Sequence, residues 1–319
     1  MSEGRRREKP GTIDQDSRGR TLSSASHLTA ETTRQRGPVP MHGQPPKLSE
    51  ALGDRYRLLR EIGRGGMAAV YLAEDRLGGG PVAIKVLRPE LASSLGGARF
   101  LREIEIASRL QHPNILPLLG SGEVGAFLYY TMPYVPGDSL QALLERHGRL
   151  PLARVLAIAG DIAGALDYAH AQNVVHRDIK PANVLLEGER ALVCDFGVAR
   201  AIVRASTDQS SSSGLVFGTV AYMSPEQATG RGEIDARSDI YALGCVIYEM
   251  LTGEAAFSGP TPQAIIARHL SEPPRSIRTV RPEVTREVEA AVLAALAKDP
   301  AARPEKATEL LRRLTNAAG

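Results

Sequence analysis

From Tyr56 onward, short apolar stretches broken by glycines and turns give way to helical spacing. YRLLREIG (56–63) reads as a short strand running into glycines, and MAAVYLAED (67–75) reads as a second. VAIKVL (82–87), rich in β-branched residues, reads as a third after the turn LGGGP. RFLREIEIASRL (99–110) changes to helical spacing, with Phe100, Ile104, Ala107 and Leu110 on one face. Two more short strands are expected near 116–120 and 127–131. Beyond them, Leu152, Val155, Leu156, Ala159, Ile162, Ala163 and Leu166 mark a long amphipathic helix. Further helices are expected near 237–252, 262–270, 286–298 and 305–316. Strands first and helices afterwards indicate an α+β fold in two lobes. No internal repeat is visible.

Residues 1–50 break this pattern. They are rich in Arg, Ser, Thr, Gly and Pro and nearly free of large apolar side chains. Such a segment buries too little surface to offset its ordering entropy, so it is read as a disordered tail, with the folded domain at 51–319. The net charge of +3 resides in that tail, and residues 51–319 are balanced. Arg5, Arg6 and Arg7 could touch an anionic surface, but a neutral folded part argues against nucleic acid as the main partner. Apolar residues make up 43% of the chain, aromatic ones only 4%, and Trp is absent, so the core must be aliphatic. Cys194 and Cys245, both in apolar runs, read as buried hydrophobes in a reducing compartment. No window approaches the ~20 apolar residues of a membrane span, and no apolar segment follows RRREK as a signal peptide would require. A cytoplasmic location is therefore expected.

Several polar residues stand where strands end. Gly63, Gly65 and Gly66 lie between two strands, where bare backbone can approach a ligand and offer N–H groups to phosphate oxygens. This is not the dinucleotide fingerprint, because a strand follows it and not a helix. Lys85 sits inside an apolar strand and needs a partner for its charge. Glu103 on the next helix is the candidate, since Glu105 falls on another side. VVHRDIKPANVLLEGERALVCDFG (174–197) then places Asp178, Lys180, Asn183 and Asp195 in one run. Its Val174-Val175 doublet reads as a short strand ending in a polar loop. Asp178 could take a proton from an attacking hydroxyl, and Lys180 could neutralise a transferring phosphoryl group. Asn183 and Asp195 offer hard oxygen donors that suit Mg²⁺, which takes one or two carboxylates together with substrate phosphates.

Taken in order, the glycine loop, VAIK, the helix glutamate, HRDIKPAN, DFG, GT…SPE and SDIYALG make the chain resemble the protein kinase family. It resembles the bacterial Hanks-type serine/threonine kinases most, from about Tyr56 to Leu314. The resemblance implies a two-lobed fold. The small lobe, about 51–135, would be mainly antiparallel sheet plus one helix, and the larger lobe, 136–319, mostly helical. It implies that Gly63, Gly65 and Gly66 cover ATP phosphates and that Lys85, paired to Glu103, holds them. Asp178 would be the base, and Asn183 and Asp195 would bind Mg²⁺, with Mn²⁺ a possible substitute. By the same resemblance, in FLYYTMPYVPGDSL, Met132 would be the gatekeeper and Pro133–Val135 the hinge. Pro133 would offer only its carbonyl and Val135 its N–H to adenine. Val70, Ala83 and Leu185 would sandwich the base, and Ile62 belongs to the same nucleotide site.

Lys180 and Thr219 resemble the serine/threonine pattern. The resemblance also points to Ser211 and Ser213 as autophosphorylation sites, six and eight residues before Thr219. Arg177 could pair a phosphate bidentately. Glu226 would pair with Arg303, and Asp239 would order the catalytic-loop backbone. Departures are mild: Ala68 replaces the third glycine, SPE replaces APE, and Tyr241 stands where Trp is frequent. Protein substrates carrying Ser or Thr are the expected partners, with self-association for autophosphorylation. The competing reading is a pseudokinase scaffold that binds nucleotide without turnover. It would be expected to lack Lys85, Asp178, Asn183 or Asp195, and all four are present.

Overall fold

The computed structural model describes residues 46–89, 92, 97–197, 220–230 and 233–318. Ser211, Ser213 and Thr219 lie outside the described residues, as does most of the tail. Strands β1 (Tyr56–Arg64), β2 (Ala68–Asp75), β3 (Gly80–Leu87), β4 (Gly120–Val124) and β5 (Phe127–Pro133) form one antiparallel sheet, ordered β1-β2-β3-β5-β4. The two-residue period sorts its side chains into two layers. Val82, Ile84 and Val86 of β3 join Tyr56, Leu58 and Tyr71 on one face. Ala83 and Leu87 of β3, with Leu128, Tyr130 and Met132 of β5, face the other way. Lys85, between Ala83 and Leu87, shares that second face.

Helix α1 (Pro46–Leu52) covers the first face. Leu48 and Leu52 are buried there, so the folded part begins some residues earlier than the tail composition implies. Helix α2 (Gly97–Ser108) covers the second face with Phe100 and Ile104, while Ala107 is buried against the helical lobe; these are three of the four positions expected from the helical spacing. The fourth, Leu110, is buried just past the helix end.

The second lobe is helical: α3 (Leu140–His147), α4 (Leu152–Ala171), α5 (Pro225–Thr229), α6 (Ala236–Thr252), α7 (Pro262–Ser271), α8 (Ile277–Val280), α9 (Arg286–Ala295) and α10 (Ala307–Ala318). Helix α6 is its axis. Asp235 caps the start by accepting the Arg237 N–H, and Gly253, left-handed at φ 78°, ends it. Residues on every side of α6 are buried, as expected for a helix enclosed by others. Helix α4 packs with Val155, Ala159, Ile162, Ala163 and Leu166 buried, while Leu152 and Leu156 are half-buried. A hairpin of β6 (Val184–Glu187) and β7 (Arg190–Val193) lies at the boundary between the lobes.

Two expected strands differ. The strand placed near 116–120 is β4, four residues further on. Val174 and Val175 are not in a strand: Asn173, at φ 59°, turns the chain into an irregular loop with no ladder partner. Both cysteines are free and buried. Among the described residues, no helix is long and apolar enough to cross a membrane.

Candidate active site

The loop 176–183 is held from beneath. Asp239, in the first turn of α6, is fully buried, and its carboxylate accepts three bonds. Oδ2 takes the His176 N–H (2.8 Å) and His170 Nε2 (2.8 Å), and Oδ1 takes the Arg177 N–H (2.7 Å). These bonds hold Arg177 at φ 70°, a left-handed conformation that a long side chain avoids without external support. The His176 ring is fully buried. It donates from Nε2 to the Cys194 carbonyl (2.8 Å) and accepts the Asp178 N–H at Nδ1 (3.2 Å), which fixes its tautomer. It also meets Phe196 edge-on at 4.6 Å. His176 thus ties the loop bearing Asp178 to the segment bearing Asp195.

The polar side chains then converge. Lys180 Nζ donates to Asp178 Oδ2 at 2.7 Å. The Asn183 amide donates to the Asp178 carbonyl (2.8 Å) and to its Oδ2 (3.1 Å). With its NH₂ turned to Asp178, Asn183 presents Oδ1 as its acceptor. Asp195 lies two residues past the end of β7, at φ 70°, and is 8% exposed. Lys85 Nζ pairs with Asp195 Oδ2, and the Tyr130 hydroxyl donates to Oδ1 at 2.6 Å. Burial alone would raise the Asp195 carboxyl, but the Lys85 ammonium holds it below the usual range. Burial would lower Lys85, and Asp195 reverses this, so Lys85 stays a cation.

Lys85 therefore meets Asp195, and the expected ion pair with Glu103 is not formed. The reason is local. Asp195 is a buried carboxylate and needs a countercharge within reach. Glu103 is buried behind the Asp195–Gly197 turn, where α2 packs closely. A Cβ on Gly197 (φ 78°) would come within 3.1 Å of Ala107 Cβ and 3.3 Å of the Glu103 carbonyl oxygen. Glu103 there lines a small cavity of about 30 Å³ with Val174, Val175 and Arg177.

The other predicted residues also gather. Ile62, Val70, Ala83, Met132, Val135 and Leu185 belong to one apolar cluster spanning β1, β2, β3, β5 and β6. Gly63 and Gly65 end the hairpin above it. A Cβ on Gly63 would find only Val70, at 3.9 Å, and one on Gly65 only the Ala68 carbonyl oxygen, at 3.9 Å. Neither glycine is required by the protein's own packing, which leaves open space before exposed backbone. That space, the apolar slot beneath it and two oxygen donors on Asn183 and Asp195 fit a metal-bound nucleoside triphosphate. In the second lobe Arg303 clamps Glu226 as expected, Nη1 to Oε1 and Nη2 to Oε2, both at 2.8 Å.

Sequence reasoning missed Tyr130, His170 and Gln227, whose Nε2 donates to the Arg177 carbonyl at 2.8 Å. The strand period marks Tyr130 as sharing the Lys85 face, but nothing in the chain order gives its hydroxyl an acceptor. His170 and Gln227 lie outside every recognisable motif.

The protein kinase domain family matches residues 56–316, and the chain belongs to that family. A probable serine/threonine-protein kinase of Streptomyces coelicolor is 43% identical over 265 residues, 81% of this chain and 39% of the relative. Serine/threonine-protein kinase PknB of Mycolicibacterium smegmatis is 42% identical over 266 residues, 81% of this chain and 42% of the relative. The chain thus spans about two fifths of the length of these curated relatives. The crystal structure of the Mycobacterium tuberculosis PknI kinase domain superposes with a TM-score of 0.67 at 32% identity, covering 83% of this chain and 96% of that one.

Proposed function

We propose that this chain is an ATP-dependent protein kinase that phosphorylates serine and threonine hydroxyls of proteins, and its own Ser211 and Ser213. The observation that carries this reading is the pair of contact sets, Lys85 with Asp195 and Lys180 and Asn183 with Asp178, which the buried His176 ring ties together through the Asp178 N–H and the Cys194 carbonyl. The names of the relatives support the choice of serine and threonine, as does Lys180 in contact with Asp178.

Asp178 Oδ2 is engaged by Lys180 and Asn183, so Oδ1 is the atom that orients a substrate hydroxyl and takes its proton. Lys180, already beside it, offsets negative charge in the transition state. Asn183 Oδ1 and Asp195 would hold Mg²⁺, with Mn²⁺ as a substitute. Bound there, MgATP supplies the phosphoryl group and shields its charge. With nucleotide bound, Lys85 would hold its phosphates, and Glu103 would be the carboxylate to pair it, as expected from the sequence. The glycine hairpin would cover the phosphates with backbone N–H groups, and Val135 would meet the adenine edge. Most of the rate enhancement is positioning and charge stabilisation. A pseudokinase scaffold finds no support in a site that keeps all four of Lys85, Asp178, Asn183 and Asp195. Two buried free cysteines fit a reducing compartment, which we take to be the cytoplasm. Self-association would serve phosphorylation of Ser211 and Ser213.

The test is transfer from γ-labelled ATP to a mixed protein substrate, followed by phosphoamino-acid analysis. Label on serine and threonine is expected. Label confined to tyrosine, or none, would overturn the reading.

A further inference from the structure

Tyr130 is fully buried, yet its one polar atom is not spent on the core: the hydroxyl reaches Asp195 Oδ1 at 2.6 Å. Its position is set by sheet register. Lys85 of β3 and Tyr130 of β5 are direct cross-strand partners. Opposed residues in an antiparallel ladder project to the same face. The two side chains therefore leave one rung of the sheet together and grasp one carboxylate, Lys85 at Oδ2 and Tyr130 at Oδ1. The Tyr130 ring is fixed in turn, tilted against Phe100 of α2 at 6.4 Å.

The two donors differ in what they can do next. Lys85 carries a charge that nucleotide phosphates would attract away. Tyr130 is neutral, has no other acceptor among the described residues, and sits on a strand paired on both sides. We propose that Tyr130 is a positioning residue for metal binding, which rests on the kinase reading above. Its hydroxyl keeps Oδ1 after Lys85 leaves, so that Oδ2 is the oxygen offered to the cation. Partners of this kind orient a ligating carboxylate, and their removal weakens metal affinity by about 10- to 100-fold.

The test is Mn²⁺ titration, read by electron paramagnetic resonance of the free ion, with a non-hydrolysable ATP analogue at one equivalent to the protein and the analogue alone titrated as the blank. Tyr130→Phe removes only the hydroxyl. Tyr129→Phe, on the opposite face and in contact with Tyr56, serves as the control. Tyr130→Phe is expected to weaken Mn²⁺ binding about tenfold or more. Binding of the analogue without metal should hold, and Tyr129→Phe should match wild type. In an Asp195→Ala background, Tyr130→Phe should change nothing further. If Tyr130→Phe does not fold, Tyr130→Leu takes its place in both backgrounds. Unchanged Mn²⁺ affinity would show the hydroxyl to be a core donor only, and tighter binding would show it competing with the cation. Either result overturns the proposal while leaving the kinase reading intact. Absence of Mn²⁺ binding in the wild type would overturn both.

Discussion

Replacing Arg303 with Met would leave Glu226 buried with one hydroxyl for a partner. The Arg303 side chain has no exposure and that of Glu226 has 9%. Arg303 forms the two-pronged bond to Glu226 and also donates to the carbonyls of Ala297, Arg237 and Lys298. Burial would raise the Glu226 carboxyl, but the bonds from Arg303 and Ser238 hold it at about 2 against an ordinary 4.5. At 1.36 kcal/mol per pH unit, that difference is worth about 3 kcal/mol. Because the folded value lies below the unfolded one, this contribution is complete above about pH 4.5 and is lost as pH falls toward 2.

Without Arg303 the sign reverses. Burial then dominates and Glu226 moves above its ordinary value, so acid favours the folded variant. Urea unfolding at pH 7 should show Arg303→Met less stable by about 3–5 kcal/mol. At pH 4.5 the gap should narrow. The double variant Glu226→Met with Arg303→Met should recover part of the loss, because no buried charge is left unpaired, while the carbonyls of Ala297, Arg237 and Lys298 still lack their donor. A loss below about 1 kcal/mol, or the same loss at both pH values, would refute the reasoning.

Other outcomes follow from the same contacts. Asp178→Asn should keep nucleotide affinity within about threefold, by calorimetry, while turnover falls by about 10²–10⁴. His170→Leu removes a donor from the buried Asp239 carboxylate. It should lower unfolding free energy by about 1–3 kcal/mol and reduce turnover more than nucleotide affinity. Leu48→Ala, on a helix that composition assigns to the tail, should cost about 2–3 kcal/mol in thermal unfolding. No measurable change would mean that α1 does not contribute to the core.

The sequence was most informative where one physical rule governed a whole segment. Helix α6 could be read from its apolar run, and the cap at Asp235 and the glycine at 253 agree with it. Strand β3 could be read from its β-branched run, though its two layers show only in the structure. Strand β4 could not be read this way, because Gly120-Ser121-Gly122 carries no apolar pattern and pairs only through its neighbour β5. Helix α1 was missed because two leucines are too few to outweigh the polar composition before them. The motifs gave Lys85, Asp178, Asn183 and Asp195 by position. They could not say which carboxylate Lys85 meets, since that depends on where α2 packs against Gly197. The Tyr130 hydroxyl bond depends on register across two strands far apart in the chain, which no local pattern encodes.

The central claim is that this constellation transfers phosphate. The most direct measurement is the intact mass of phosphatase-treated protein after incubation with MgATP, beside an Asp195→Ala variant. Wild type should gain steps of ~80 Da, and the variant should gain none. Equal gains in both would remove Asp195 from the chemistry. No gain in either, together with no label on added protein, would contradict the account.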